Sequence, residues 1–159
     1  SFSTADLDGW ATSGSAHAVY SAADFFVGVT QCVEVAELAE YQLAGRVFVD
    51  TASATDPVLY GQAQFFGATN CSNPMPGPLQ FTSSTDGDSG ANWIEVSGLV
   101  TAPDDALSAR VSFYAERTTT TTFDAWFDHL RLNSVSLVFD DGFESGSFSG
   151  WDAAVGVAP

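Results

Sequence analysis

Apolar and polar residues alternate along most of this chain with a period of two. From Leu107 to Glu116, the residues Leu107, Ala109, Val111, Phe113 and Ala115 interleave with Ser108, Arg110, Ser112, Tyr114 and Glu116, the pattern of a strand with one face buried and the other solvated. Tyr41 to Asp50 and Leu59 to Phe66 repeat it, and further strands are predicted at Ala16–Tyr20, Phe25–Val35, Leu79–Ser83, Trp93–Leu99 and Phe123–Leu132. Between them, Asn70 to Pro78 and Ser83 to Asn92 concentrate Gly, Pro, Asn, Asp and Ser, residues that supply turn geometry. Val35–Glu40 has a helix-like spacing, but it is too short for a stable helix and sits between two strand patterns, so it predicts a tight connection. Thr118 to Thr122 reads as an extended loop. Eight or more short strands punctuated by turns predict an all-β fold, a two-sheet antiparallel β-sandwich of jelly-roll type.

The pattern changes near the end. Residues 1–133 read as one sandwich domain and 134–159 as a strand-like C-terminal tail, in which Val135, Leu137 and Phe139 alternate with Ser134, Ser136 and Val138. Phe143 to Trp151 repeats the Phe-to-Trp spacing of Phe2 to Trp10, each with a glycine before the tryptophan. A tail that imitates the first strand and carries Phe139, Phe143, Phe148 and Trp151 predicts docking as an added strand in a neighbouring subunit, with folding back on its own domain as the competing outcome. Head-to-tail docking of this kind propagates into a filament unless the rotation closes a ring.

Charge narrows the partners. Twenty acidic residues against four basic ones give a formal net charge of −16. Arg46, Arg110, Arg117 and Arg131 are far apart in sequence, which excludes nucleic acid and disfavours an anionic membrane surface. There is no apolar run of membrane-spanning length and no basic segment before an apolar stretch, so the chain reads as a mature, soluble product. Cys32 and Cys71 are too few for a metal site and read as one disulfide, the alternative being two buried free thiols; a disulfide implies a secreted, extracellular or periplasmic home.

No catalytic motif stands out, and the chain is read as not an enzyme. Gly87-Asp88-Ser89-Gly90 matches the surroundings of a serine-protease nucleophile, but neither His17 nor His129 lies in a matching motif. Paired acids at Asp104 with Asp105, Asp140 with Asp141 and Asp86 with Asp88 sit in turn-like sequence, where adjacent carboxylates are solvated. Sugar binding asks for exposed rings against the apolar face of a pyranose, with amide or guanidinium groups reaching its hydroxyls. One strand-face parity offers that mixture: Arg46 and Phe48, then Tyr60, Gln62, Gln64 and Phe66, then Arg110 and Tyr114. The competing reading puts Phe48 and Phe66 in the core and pairs the arginines with surface acids. Trp10, Trp93 and Trp126 read as core residues.

Gln31-Cys32-Val33, Tyr41 to Val47, Gln64-Phe65-Phe66 with Cys71, Ala102 to Ala106 and Phe127 to Leu132 occur in an order that resembles the carbohydrate-binding-module type of galactose-binding-like jelly roll, over about residues 1 to 133. The segment from Phe139 through Gly146, which contains Asp-Gly-Phe-Glu-Ser-Gly, is similar to a C-terminal signature of secreted bacterial proteins. The resemblance implies a structural calcium ion near the first strand, with Asp128 as the matching ligand and Asp6 or Asp8 completing the shell; the alternative is that Asp128 hydrogen-bonds a turn. Two functions follow as expectations: a non-catalytic structural subunit that self-assembles through its tail, and, as the alternative, a glycan-binding module for a polysaccharide.

Overall fold

In the computed structural model, the described residues are 15–19, 26–49, 57–83, 92–116, 123–134 and, as backbone alone, 2–3, 85–86, 137–141 and 153–155. They form β1 (Phe2–Ser3), β2 (Ser15–Val19), β3 (Phe26–Glu34), β4 (Glu40–Val49), β5 (Val58–Phe66), β6 (Gln80–Phe81), β7 (Thr85–Asp86), β8 (Ile94–Thr101), β9 (Ser108–Glu116), β10 (Asp124–Ser134), β11 (Leu137–Asp141) and β12 (Ala153–Val155). One sheet runs β1-β2-β10-β4-β8, with β11 also on β10; the other runs β12-β3-β9-β5-β6, with β7 also on β5. Every pairing is antiparallel. The expected two-sheet sandwich is therefore the fold, and the eight predicted strands lie within a few residues of their expected bounds. The Val35–Glu40 connection is tight, with Leu38 in the left-handed region at φ 58°.

Alternation decides what is inside. On β9, Ala109, Val111, Phe113 and Ala115 are buried between the sheets, and on β5 the residues Leu59, Ala63 and Phe65 join them. The facing sheet contributes Tyr41, Leu43, Val47, Ala125, Phe127, Leu130 and Leu132. Phe113 fills the middle of this layer. Its ring lies so close to β4 that a Cβ on Gly45 would come within 2.8 Å of it, so a side chain there has no room. Leu107 opens the predicted pattern but is 47% exposed, because β9 starts one residue later.

Cys32 and Cys71 are joined, with Cα atoms 5.9 Å apart, tying the loop after β5 to β3. Closing a loop of 39 residues in the unfolded chain stabilises the fold by about 4 kcal/mol in the chain-entropy account.

The tail pairs with its own sandwich. β11 lies against β10 from Leu130 to Asn133, and β12 lies against β3 from Gly28 to Thr30. β10 accommodates two partners along one edge, β2 at Asp124–Phe127 and β11 beyond it, with a register shift between Asp128 and Arg131 on its other side, against β4. At that shift His129 adopts φ 50°, and its backbone N–H donates to Asp128 Oδ1 at 2.8 Å. In this single chain β11 and β12 follow the competing expectation, pairing with strands of the same subunit. Phe143, Phe148 and Trp151 lie outside the described residues, and Phe139 is placed by its backbone opposite Leu132.

Candidate functional site

The outer face of the β12-β3-β9-β5-β6 sheet collects most of the predicted sugar-binding residues. Antiparallel register sets Tyr114 between Gly28 and Tyr60, Ser112 between Thr30 and Gln62, and Arg110 between Cys32 and Gln64. Because β9 is central to the three strands, its outward residues bring those of β3 and β5 into one patch.

Four rings cross this face: Phe26 against Tyr114 at 4.8 Å, Tyr114 against Tyr60 at 5.5 Å, and Tyr60 against Phe81 at 5.9 Å between centroids. Phe26 is 38% and Phe81 51% exposed, so both ends of the row meet solvent. Tyr114 lies flat over β3 because residue 28 has no side chain; a Cβ there would stand 2.5 Å from the Tyr114 ring and 2.3 Å from the Phe113 carbonyl oxygen. The Tyr60 hydroxyl hydrogen-bonds Glu116, and burial first, then that carboxylate, raises its pKa above the ordinary 10.0. The phenol stays protonated at neutral pH.

Beside the ring row is a depression of about 740 Å³ lined by Thr30, Cys32, Thr69, Asn70, Cys71, Arg110 and Tyr114. Its wall is the loop after β5, folded back by Gly67 N–H to Asn73 O at 3.0 Å and Met75 N–H to Phe65 O at 3.1 Å. This loop covers Phe66, leaving it 3% exposed on the outward side of its strand, and the Arg110 guanidinium lies 5.0 Å over the Phe66 ring. Ser108 ties the loop to β9, donating to Ala68 O and accepting from Cys71 N–H at 3.1 Å. On the floor, Ser112 Oγ donates to Thr30 Oγ1 at 2.9 Å, and Thr30 Oγ1 to Val111 O at 3.1 Å. Thr30, Thr69, Asn70, Phe26 and Phe81 were not among the predicted site residues; the parity that groups Thr30 with Cys32 was the signal for the first of them.

Arg46 is not part of this patch. It stands on the outer face of the opposite sheet, 2.7 Å from Glu95 Oε2, with Arg131 3.6 Å from Glu95 Oε1. Phe48 is there too, in a row with Trp93 at 5.7 Å and Trp126 at 5.2 Å, continued by His17 stacked on Trp126 at 4.6 Å. Trp93 and Trp126, expected in the core, are instead half-buried on that outer face, since Trp126 alternates with the buried Ala125 and Phe127. Trp10 lies outside the described residues.

Asp128 is 1% exposed and accepts the His129 N–H with one carboxylate oxygen. Asp6 and Asp8 lie outside the described residues. Elsewhere, Glu37, Asp104 and Asp105 bring their carboxylates within 4.8 Å of one another, all exposed, with Asp105 N–H donating to Glu37 Oε2 at 3.1 Å.

No family model and no curated protein matches the sequence. Among solved structures, one described as "Family 16 Carbohydrate Binding Module-2" aligns with 72% of this chain and 73% of its own at 16% identity, with a TM-score of 0.44. One described as "CBM4 structure and function" aligns with 84% of this chain and 87% of its own at 14% identity and a TM-score of 0.52, so this chain has the β-sandwich fold of a carbohydrate-binding module.

Proposed function

We propose that this chain is a non-catalytic extracellular glycan-binding module whose site is the outer face of the β3-β9-β5 strands. The observation that carries the reading is the convergence of Tyr60, Tyr114, Gln62, Gln64 and Arg110 on one face beside the depression. Aromatic faces stack on the apolar face of a pyranose, while amide, hydroxyl and guanidinium groups exchange hydrogen bonds with its hydroxyls. The lining supplies both. Among the described residues, that lining holds no pair of carboxylates of the kind with which a glycosidase cleaves its substrate. The disulfide fits an oxidising compartment, and the likeness to carbohydrate-binding modules extends the same reading from fold to function.

Self-assembly by strand donation is less well supported, because two strands of the tail pair within the chain itself and one end of the β8 edge is capped. β11 covers part of β10, β12 part of β3, and the Gln80 amide caps the edge of β8, donating to Thr101 O and accepting Thr101 N–H, both at 2.7 Å.

Affinity electrophoresis through gels containing neutral polysaccharides tests the glycan reading. Retardation of the wild type is expected, and Tyr60→Ala or Tyr114→Ala should weaken binding by roughly 1–2 kcal/mol, the scale of a lost aromatic contact, with the fold intact. Unchanged retardation of both variants would remove this face from consideration.

A further inference from the structure

We propose that the Cys32–Cys71 disulfide is a positioning element of this face, holding the 67–78 loop and Arg110 in their binding arrangement, so that its reduction lowers glycan affinity while the sandwich persists. The functional consequence rests on the glycan reading above; the structural consequence rests on geometry alone.

Both cysteines line the depression, so the bond is part of the site's surface as well as a staple of the fold. Cys32 sits on β3 opposite Arg110, and Cys71 sits in the loop that leaves β5, on the other side of β9. The loop therefore crosses over β9 near the point where Arg110 emerges, and the bond fastens it there to β3. Arg110 Nη2 lies 3.5 Å from the Cys71 carbonyl oxygen, and its guanidinium rests on Phe66 beneath the same loop. A shift of Cys71 thus changes the surroundings of the cation and moves Thr69 and Asn70, the exposed polar loop residues that line the depression.

The loop is held in a conformation that the chain would not choose locally. Cys71 has φ 53°, in the left-handed region that residues other than Gly, Asn and Asp avoid, while Asn73 at φ 60° is of a type that adopts it readily. Cys71 is not one of the residue types that visit this region readily. While the disulfide is intact, its side chain is fixed to β3; once the bond is cut, Cys71 is held at positive φ only by the Ser108 hydrogen bond to its N–H and the long Arg110 contact to its carbonyl oxygen, and can relax toward negative φ. The base of the loop has independent anchors in the Ser108 hydrogen bonds and the Met75 N–H to Phe65 O bond. The ladders joining β3, β9 and β5 do not pass through the sulfurs. Local release of the wall with retention of the sheets follows.

Hydrogen exchange read by mass spectrometry, on the full chain with and without dithiothreitol, tests the structural claim. Exchange across residues 67–78 should rise at least tenfold on reduction while β3, β5 and β9 keep their protection. Equal protection of the loop in both redox states overturns the proposal. Affinity electrophoresis on the polysaccharide that retains the oxidised protein tests the functional claim: affinity should fall at least tenfold on reduction, and unchanged affinity overturns it. If reduction releases the strands as well, the claim of a persisting sandwich is refuted, and Asn70→Ala with the bond intact tests the wall separately. That variant should lose severalfold in affinity with an unaltered melting temperature; full affinity overturns the role of the wall. Failure of the oxidised wild type to bind any polysaccharide sinks the glycan reading, while the exchange contrast still decides whether the disulfide positions the loop.

Discussion

Gly28 and Tyr60 show how single positions set the character of the binding face. Gly28→Ala would place a methyl group 2.3 Å from a backbone carbonyl and 2.5 Å from the Tyr114 ring, so either the ring or the strand has to move. Overpacking of this kind costs about 1–3 kcal/mol, and urea unfolding of the variant should show a loss in that range together with weaker sugar binding. A variant as stable as the wild type would mean that Tyr114 does not depend on the gap. Tyr60 has a folded pKa raised above 10.0 by burial and by Glu116, so the folded state holds its phenolic proton more tightly than the unfolded chain. The stability this contributes is fully present below pH 10 and is lost as pH rises through the folded value. Tyrosinate absorbance should accordingly show a late-titrating phase that Tyr60→Phe removes and Glu116→Gln shifts to lower pH. Disappearance of no phase in Tyr60→Phe would contradict the assignment. Parity in the sequence already separated outward Tyr60 and Tyr114 from inward Leu59 and Phe113. It equally separated Trp126 from Phe127, and expecting Trp126 in the core put residue type ahead of parity.

Strands and loops explain why the rest was harder to read. Arg46, Tyr60 and Arg110 share an outward parity, but parity says nothing about which sheet a strand joins. β4 pairs with β10 and β8, while β5 pairs with β9 and β3, partners that are distant in sequence. Arg46→Ala should therefore leave glycan affinity unchanged and cost at most about 1 kcal/mol of stability, because its ion pair with Glu95 is exposed on the opposite sheet. Calorimetric titration distinguishes this from the loss of roughly 1–2 kcal/mol, about five- to thirtyfold, expected of an aromatic contact residue. The loop from Gly67 to Pro78 was legible as turn-rich, yet its path over Phe66 and beside Arg110 depends on the disulfide and on Ser108, a contact forty positions away. The Gln80 cap on β8 has the same nonlocal origin.

At the scale of the molecule, two sheets present two different outer faces, and the tail contributes strands to both sheets. Deleting residues 134–159 removes the pairing partners of Leu130–Asn133 and of Gly28–Thr30. The truncated protein should melt at a lower temperature, and sedimentation should find it in the same association state as the full chain. Polymerisation of the full chain that the deletion abolishes would instead restore tail donation between subunits. The charge of −16 opposes close packing of copies at low salt and also disfavours acidic polysaccharides, which points the search toward neutral ones. The central claim, that glycan binds the outer face of β3, β9 and β5, is tested most directly by mapping backbone amide shifts in an NMR titration with a neutral oligosaccharide. The perturbed amides should cluster at Thr30, Gln62, Gln64, Thr69–Cys71 and Arg110–Tyr114. Perturbations confined to the opposite sheet, around Arg46, Trp93 and Trp126, would contradict it.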